Sequence, residues 1–575
     1  MRFEITGQWK DGYEHDGILY CAQRMEEMLM NYTSHLYKVP VYNSFLLCGE
    51  YLRSYDLVKE STIDPSHLIN ILEEFIDAFS TDVVIKKRFS SDDVQHFISK
   101  LKGSSLPEQR KVMYYIYHLM AAYPVWASET LRDSVFNPKE KKKIEKSIRS
   151  YLPMIIGLGY QPFHIYKFTK KYFQDKTIDD FQCFESFLNH FDGTDIEYIV
   201  YFAVKKKVKT FKSILKKRLS ISFIQDEFSK KLQFDHRKYI CISMHSNALD
   251  PNGAALKAYT FFNIFMRYYK FLGNREEDWC WNLALVKDPD GIIDYPHLKP
   301  NRYFVSRDYD DQTLGKNSER IISKLLENSA GNDFFTIDKI ISTHNTALES
   351  HDARNAFLNL WSIIEIIGVY DHTDSKIKEI LRSVIPVLKR NYVNCVIEEL
   401  HDYLKANIDQ KDYNRVLSSM KLNGSEEFKI SCLLILPEYE QSRKETYQCL
   451  EHYPLIRSRI SQLNEDVFKT KRKFIVELQR YEQRLTWHIQ RLYRVRNAII
   501  HSGDTDDNLK ALVEHLHSYV DEIIFEIIDR LTQDNSLGSI SNVLMDAQVF
   551  IENLEKDWGK KNDPFTLADV QKMFS

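Results

Sequence analysis

The sequence lacks the patterns that mark several common classes of protein. Its eight cysteines are scattered, without a C-x-x-C pair or a repeated short spacing, which argues against a zinc ribbon or a disulfide scaffold. It has no Walker A loop, H-E-x-x-H, G-x-S-x-G or dinucleotide-binding fingerprint, so ATP-driven, metalloprotease, α/β-hydrolase and dinucleotide-dependent functions have no support. We therefore expect no cofactor and no bound metal.

Long apolar runs and a strong net charge are also missing. No stretch approaches the roughly 18 apolar residues of a membrane helix, and MRFEITGQWKDGYEHDG at the start has acidic residues where a signal peptide needs an apolar segment. These features predict a cytoplasmic protein with no membrane contact. The formal net charge is -3, so any contact with nucleic acid must come from a local basic cluster.

The chain does have length and apolar side chains. With 575 residues, of which 43% are hydrophobic, it is too long for one core and has enough apolar material for several folded domains. The fold class that we predict is mainly α. The predicted regions are a mostly helical N-terminal part at 1–235, an α+β segment at 236–340, a helical bundle at 341–535 and a helical tail at 536–575.

Local patterns support these regions. The clearest predicted helices of the N-terminal part are 66–79, 91–101, 108–122 and 139–151. A short strand pair is predicted near residues 3–5 and 17–21. The α+β segment contains predicted strands at 238–244, 281–286 and 302–306, a turn at 250–253, and predicted helices at 254–272 and 318–328.

One long helix near the C terminus carries the residues that we consider for catalysis. Its predicted buried stripe consists of Leu478, Leu485, Leu492, Val495 and Ile499. Arginines expected mostly off this stripe are Arg484, Arg491 and Arg494. Gly503 favours a helix end, which places His501 in or just beyond the last turn, where exposed carbonyls stabilise positive charge. An imidazole in that position suits proton transfer.

Arg496 and His501 form the only R-x4-H pair in the chain, a spacing expected by chance about once in a protein of this length. Arg494, seven residues before His501, competes with Arg496 for the same role. Asn497 lies four residues before His501 on the same helix face, where it either orients the imidazole or is simply solvated. The plain alternative is a basic helix end whose His stabilises the helix dipole.

The segment YRVRNAIIHSG (493–503), together with FLNLWSIIEII (357–367) and YPLIRSRI (453–460), resembles the ApeA-like branch of the HEPN family. The resemblance covers about residues 340–535 and implies a HEPN-type helical bundle with a helical insertion at about 369–450. It implies a metal-independent endoribonuclease, a toxin or antiviral effector, with Arg496 and His501 as the catalytic pair and Asn497 beside them. Many such toxins have a Tyr two residues after the His as the target of a partner nucleotidyltransferase, but position 503 is Gly here.

The chemistry suits these residue types. RNA supplies its own nucleophile, the 2′-OH, so a protein need only move protons, align the phosphate and offset developing negative charge. Helical residues five apart point about 140° away from each other, so one motif copy cannot easily aim both side chains at one phosphate. Two copies across a twofold axis can, so we expect a homodimer through this bundle, and the resemblance implies cellular RNA such as tRNA as the substrate.

Further candidates lie around this motif. Supporting roles are considered for Tyr493, Arg494 and Glu365, although a lone acid such as Glu365 at a helix edge is more often just exposed. Residues 205–218 hold eight Lys or Arg and no acid, and could follow an RNA backbone or bind an acidic partner or another domain. These RNA-binding candidates are Lys205, Lys206, Lys207, Lys209, Lys212, Lys216, Lys217 and Arg218.

Two functions remain open at this point. The first is a ribonuclease whose first 340 residues sense an unknown trigger or restrain the nuclease, a role suggested by size alone. The second is a non-catalytic helical protein for dimerisation or nucleic-acid binding, with a HEPN-like bundle.

Overall fold

The computed structural model describes residues 3, 16–30, 33–175, 178, 181–224, 230–273, 279–298, 311–328, 332–350, 352–368, 375–503, 506, 508–533 and 537–574. Across these residues the protein is mainly α-helical with one small antiparallel sheet, which confirms the predicted fold class. The chain divides into two compact units. The helical unit comprises Met1–Tyr151 and Phe304–Ser575, and the sheet unit comprises Leu152–Tyr303. These divisions differ from the predicted boundaries near residues 235 and 340.

The N-terminal helices follow amphipathic patterns. They are α1 (Asp16–Leu29), α2 (Ser44–Lys59), α3 (Ser66–Thr81), α4 (Val83–Arg88), α5 (Ser91–Gly103), α6 (Leu106–Leu119), α7 (Tyr123–Val135) and α8 (Lys141–Leu158), the last containing the division at residue 151. Local signals fix their starts: Asn43 accepts a hydrogen bond from the backbone N–H of Leu46 at α2, and Ser90 and Asp93 form a capping box at α5.

The strand predicted at 17–21 is wrong, because these residues begin helix α1. Ile18, Cys21, Met25 and Met28 are buried at spacings of three and four, a helical period that extends beyond the short apolar run. Of the predicted partner strand at 3–5, residues 4 and 5 lie outside the described residues.

The sheet unit contains helices α9 to α12 and all described strands. These are α9 (Pro162–Asp175), α10 (Phe181–Asn189), β1 (Ile196–Lys205), α11 (Lys212–Leu219), β2 (Ser222–Ile224), β3 (Tyr239–Ala248), α12 (Pro251–Gly273), β4 (Cys280–Lys287) and β5 (Ile293–Asp294). The strand order is β2-β3-β1-β4-β5, with antiparallel pairing throughout. Strand β1 is central and pairs along its whole length with β3, from Ile196 opposite Ala248 to Lys205 opposite Tyr239.

Both faces of β1 are buried, which explains why the sequence did not reveal it. Val200, Phe202 and Val204 belong to the main core of the sheet unit, whereas Tyr201 and Ala203 face a smaller core on the other side. A strand covered on both sides has a continuous apolar run rather than an alternating one, and periodicity alone cannot distinguish such a run from a buried helix.

Helix α12 covers the main core and begins earlier than predicted. The Asp250 carboxylate accepts a hydrogen bond from the backbone N–H of Gly253 at 2.7 Å, so the predicted turn at 250–253 is the first turn of the helix. The other Asp250 oxygen accepts from the backbone N–H of Gln161 at 2.7 Å, and burial raises the pKa of this carboxyl group. The predicted strands at 238–244 and 281–286 correspond to β3 and β4, and the one at 302–306 lies outside the described residues.

The C-terminal helices complete the helical unit. They are α13 (Asp311–Asn328), α14 (Asn332–Glu349), α15 (Ala353–Gly368), α16 (Lys376–Asn407), α17 (Gln410–Ser419), α18 (Glu426–Ile435), α19 (Glu440–Cys449), α20 (Pro454–Gln462), α21 (Lys471–His501), α22 (Leu509–Gln533), α23 (Ile540–Trp558) and α24 (Leu567–Met573). Helix α15 packs against α14, α16, α21 and α22. Helix α16, within the predicted insertion at 369–450, also packs on α21, α22 and α23, so it is a central helix of the bundle.

The N-terminal helices pack directly on this bundle. Helix α3 contacts α21, and α1 contacts α20. Among the described helices, none combines the length and apolar character needed to cross a membrane.

Candidate active site at the end of helix α21

Helix α21 presents the Arg-His motif at its C-terminal end. The helix starts after Thr470, whose hydroxyl accepts a hydrogen bond from the backbone N–H of Lys473. It ends at His501, two residues before Gly503, which has a φ of 70° that glycine adopts without strain. The predicted stripe, Leu478, Leu485, Leu492, Val495 and Ile499, is buried throughout. The predicted helix end and buried face are therefore confirmed.

Arg496 lies beside Glu365, a pair from two different helices. Nη2 of Arg496 is 3.4 Å from Oε1 of Glu365 on α15, and Nη1 donates to Oδ1 of Asn497 at 3.2 Å. The Arg496 side chain is 23% exposed, so the guanidinium group remains accessible at the edge of the bundle. A guanidinium group has five N–H donors, and these two contacts leave donors for an anionic ligand.

Glu365 contacts other side chains besides Arg496, so it is not a solvated acid at a helix edge. It accepts a hydrogen bond from Nε1 of Trp361 at 2.8 Å, and its other oxygen lies 2.9 Å from Nζ of Lys376. The Trp361 ring lies 5.8 Å from the ring of Tyr493, which is also 5.6 Å from His67. Glu365, Arg496 and Asn497 thus lie together where α15 packs against α21, and Tyr493 packs beside Trp361 of α15.

His501 differs from the other motif residues in its exposure. Its ring is open to solvent, and within the described part of the chain it makes no hydrogen bond or ion pair. It follows Arg496 by five residues on a regular helix, so the two side chains diverge by about 140°. The end of α21 therefore offers an exposed imidazole and a guanidinium group that Glu365 and Asn497 position.

Arg491 and Arg494 are buried, which corrects the expectation that they lie off the buried stripe. Nε and Nη2 of Arg491 lie 3.0 and 2.9 Å from the two oxygens of Glu50 on α2, and Nη2 is 2.5 Å from Glu74 on α3. Nη2 of Arg494 lies 2.8 Å from Glu50. Arg494 is thus held by the N-terminal helices and points about 160° away from Arg496, so it is poorly placed for the catalytic role considered above.

The two acids of this buried charge cluster, Glu50 and Glu74, have pKa values that are shifted in opposite directions. Burial alone would raise the pKa of Glu50, but the positive charges of Arg491 and Arg494 outweigh it and lower the pKa to about 2. Burial, helped by the neighbouring charge of Glu50, raises the pKa of Glu74 instead, despite its contact with Arg491. Glu50 is therefore the carboxylate that neutralises the two arginines. Sequence analysis missed it, although an acid among the apolar residues SFLLCGEYL was a usable signal.

A cavity in the helical unit adds basic groups that the sequence analysis did not select. It has a volume of about 1240 Å³ and is bounded by α8, α21 and neighbouring helices. Its charged lining contains more basic than acidic side chains, among them Lys142, Lys146, Arg149, Arg480 and Arg484. Several are paired, for example Arg484 with Glu477 at 2.9 Å. The excess of basic side chains favours an anionic ligand over a cationic one.

The predicted basic cluster belongs to the sheet unit, whereas the motif belongs to the helical unit. Lys205 ends β1, Lys206–Phe211 form a 3₁₀ turn, and α11 follows. Val208 and Leu215 anchor the segment in the core. Its exposed lysines are Lys206, Lys207, Lys209, Lys212, Lys216 and Lys217. Lys205 is half-buried, and the side chain of Arg218 lies outside the described residues.

Comparison with known proteins adds no family to this description. No family model matches the chain, and neither a curated protein nor a solved structure matches it.

Proposed function

We propose that this protein is a metal-independent endoribonuclease of the HEPN type, acting as a toxin or an antiviral effector. The observation that carries the proposal is the end of helix α21, where an exposed His501 follows an Arg496 that Glu365 and Asn497 hold in place. The two side chains are of the kinds that RNA transesterification needs.

In the proposed reaction the 2′-oxygen of a ribose attacks the adjacent phosphorus, and the bond from phosphorus to the 5′-oxygen of the next nucleotide breaks. His501 takes the proton of the 2′-OH, and a protonated His501 gives a proton to the leaving 5′-oxygen. Arg496 binds the non-bridging oxygens, whose negative charge grows in the transition state. The products are a 2′,3′-cyclic phosphate and a 5′-OH.

The divergence of Arg496 and His501 favours a site made by two chains. In a homodimer with two α21 ends facing each other, the His501 of one chain can reach a phosphate held by Arg496 of the other. This arrangement makes dimer formation a condition for cleavage.

The buried cluster of Glu50, Arg491 and Arg494 supports a regulatory role for the N-terminal helices. It ties α2 to the helix that also carries Arg496 and His501. A trigger that moved α2 relative to α21 would change the position of the motif. We propose that the N-terminal region restrains or releases the nuclease by this route.

Product analysis tests the proposed chemistry. We expect cleavage of RNA, but not DNA, to continue in excess EDTA and to leave a 2′,3′-cyclic phosphate and a 5′-OH, because the 2′-oxygen is the nucleophile and His501 moves the protons. The 5′ end is identified with polynucleotide kinase, which labels a 5′-OH without prior phosphatase treatment. Products that carry a 5′-phosphate, or strict dependence on magnesium, would show that another site performs the reaction.

A second candidate function is nucleic-acid binding by the basic segment without cleavage, which the exposure of its lysines favours. Changing Lys206, Lys209 and Lys216 to Gln should weaken RNA binding and reduce the slope of log K against log salt by about 0.7 for each phosphate that the variant no longer neutralises. The measurement is fluorescence anisotropy over a range of salt concentrations. Gln at Lys100, Lys102 and Lys111, which are exposed on α5 and α6, provides a control of equal charge. Equal weakening in both triple variants would show that the segment has no special role.

A further inference from the structure

Three side chains of the helical unit place atoms that can bind a metal ion within 3.4 Å of one another. His517 and Asp521 are four residues apart on one face of α22, and His344 comes from α14. Nε2 of His344 lies 2.9 Å from Oδ1 of Asp521 and 3.2 Å from Nε2 of His517. Nε2 of His517 lies 3.4 Å from the same Asp521 oxygen. These side chains are between 13% and 22% exposed, so they are largely covered but reachable from solvent.

These separations fit three ligands on one metal ion. In a tetrahedral zinc site with bonds of about 2.0–2.1 Å, neighbouring donor atoms lie about 3.3–3.4 Å apart. The separations of 3.4 and 3.2 Å match this value, and the separation of 2.9 Å is shorter. Hydrogen bonds from both Nε2–H groups to Oδ1 of Asp521 would place two N–H donors only 3.2 Å apart, an arrangement that a bound cation avoids. A cation binds all three lone pairs at once.

We propose that His344, His517 and Asp521 bind a divalent transition-metal ion, with zinc as the best match. Two imidazoles and one carboxylate suit zinc and its neighbours in the first transition row, whereas magnesium and calcium prefer oxygen ligands alone. With three protein ligands, at least one coordination position remains for water or an added ligand. The bound ion links α14 to α22.

The site is independent of the proposed ribonuclease. Neither Arg496 nor His501 belongs to it, and the proposed proton transfers need no metal. Zinc binding can therefore be measured without RNA, and a failure of either proposal leaves the other standing. RNA cleavage should continue in EDTA, while the melting temperature of the helical unit should fall when the ion is removed.

Metal titration of the full-length protein tests the proposal. After treatment with EDTA and removal of the chelator, calorimetry with zinc chloride should give one equivalent per chain, and cobalt(II) should give visible absorption bands. His344→Ala, His517→Ala and Asp521→Asn should each weaken binding by at least about 10- to 100-fold, the loss typical even of residues that only support a ligand. His96→Ala, at an exposed position on α5, should leave binding unchanged.

Two results would overturn the proposal. One is a wild-type chain that binds no zinc or cobalt at micromolar concentrations. The other is binding that persists unchanged in the three variants, which would place the ion elsewhere, for example on cysteine thiolates. Circular dichroism of each variant checks folding, and Asp521→Asn, which keeps the shape of the side chain, serves if an alanine variant does not fold.

Discussion

Replacing His501 with alanine should lower the rate of RNA cleavage by about 10²–10⁴-fold, because in the proposed reaction the imidazole exchanges protons with the 2′-oxygen and the leaving 5′-oxygen. Replacing Arg496 with alanine should lower it by about 10²–10³-fold, because the variant has no guanidinium donor for the transition-state oxygens. Lysine at position 496 should restore only part of the rate, since it keeps the charge but not the planar set of N–H groups. The measurement is the single-turnover rate on a labelled RNA.

Matched controls separate chemistry from folding. Arg415→Ala and His452→Ala change exposed residues of the same helical unit and should leave the cleavage rate close to that of the wild type. Arg496 and His501 sit at an accessible helix end, so their alanine variants should lose no more than about 1 kcal/mol of stability. A well-folded His501→Ala protein with full activity would exclude this residue from the reaction.

Replacing Glu50 with alanine should cost about 3–5 kcal/mol of stability, because it leaves the positive charges of Arg491 and Arg494 buried without their main partner. We expect a large drop in the calorimetric melting temperature of the helical unit. Glu60→Ala, at an exposed position directly after α2, should change stability by less than about 0.5 kcal/mol. Equal melting temperatures for the two variants would contradict the role given to the buried cluster.

The pH dependence of this effect follows from the pKa of Glu50. The folded protein lowers that pKa from 4.5 to about 2, so the unfolded chain takes up the proton more readily as the solution is acidified. The contribution of Glu50 is therefore complete above about pH 4.5 and is lost as the pH falls towards 2. The difference in stability between wild type and Glu50→Ala should shrink over the same range.

Helical periodicity predicted much of the fold. Helix α3 begins at Ser66 and α5 at Ser91, the residues predicted from capping and spacing, and α21 ends at His501 as Gly503 indicated. These features depend on local contacts, which a single sequence contains. Strand β1 was missed because burial on both faces removed its alternation.

The surroundings of Arg496 and His501 could be predicted less well than their position at the end of a helix. Arg491 and Arg494 were expected near solvent, the usual place for arginine, and their burial depends on Glu50, more than 400 positions earlier in the chain. Glu365 was considered for a supporting role, but its contacts with Arg496, Trp361 and Lys376 could not be read from spacing. Long-range charge pairing is decided by tertiary packing, which leaves little trace in a local pattern.

The most direct test of the central claim compares the wild-type protein with His501→Ala on total cellular RNA in excess EDTA. Each protein is induced in cells and also purified at full length, so that a chain requiring a trigger is assayed where the trigger is present. The account predicts RNA fragments with 2′,3′-cyclic phosphate ends from the wild type and intact RNA from His501→Ala. Identical RNA patterns from the two proteins, both in the cell and after purification, would contradict it.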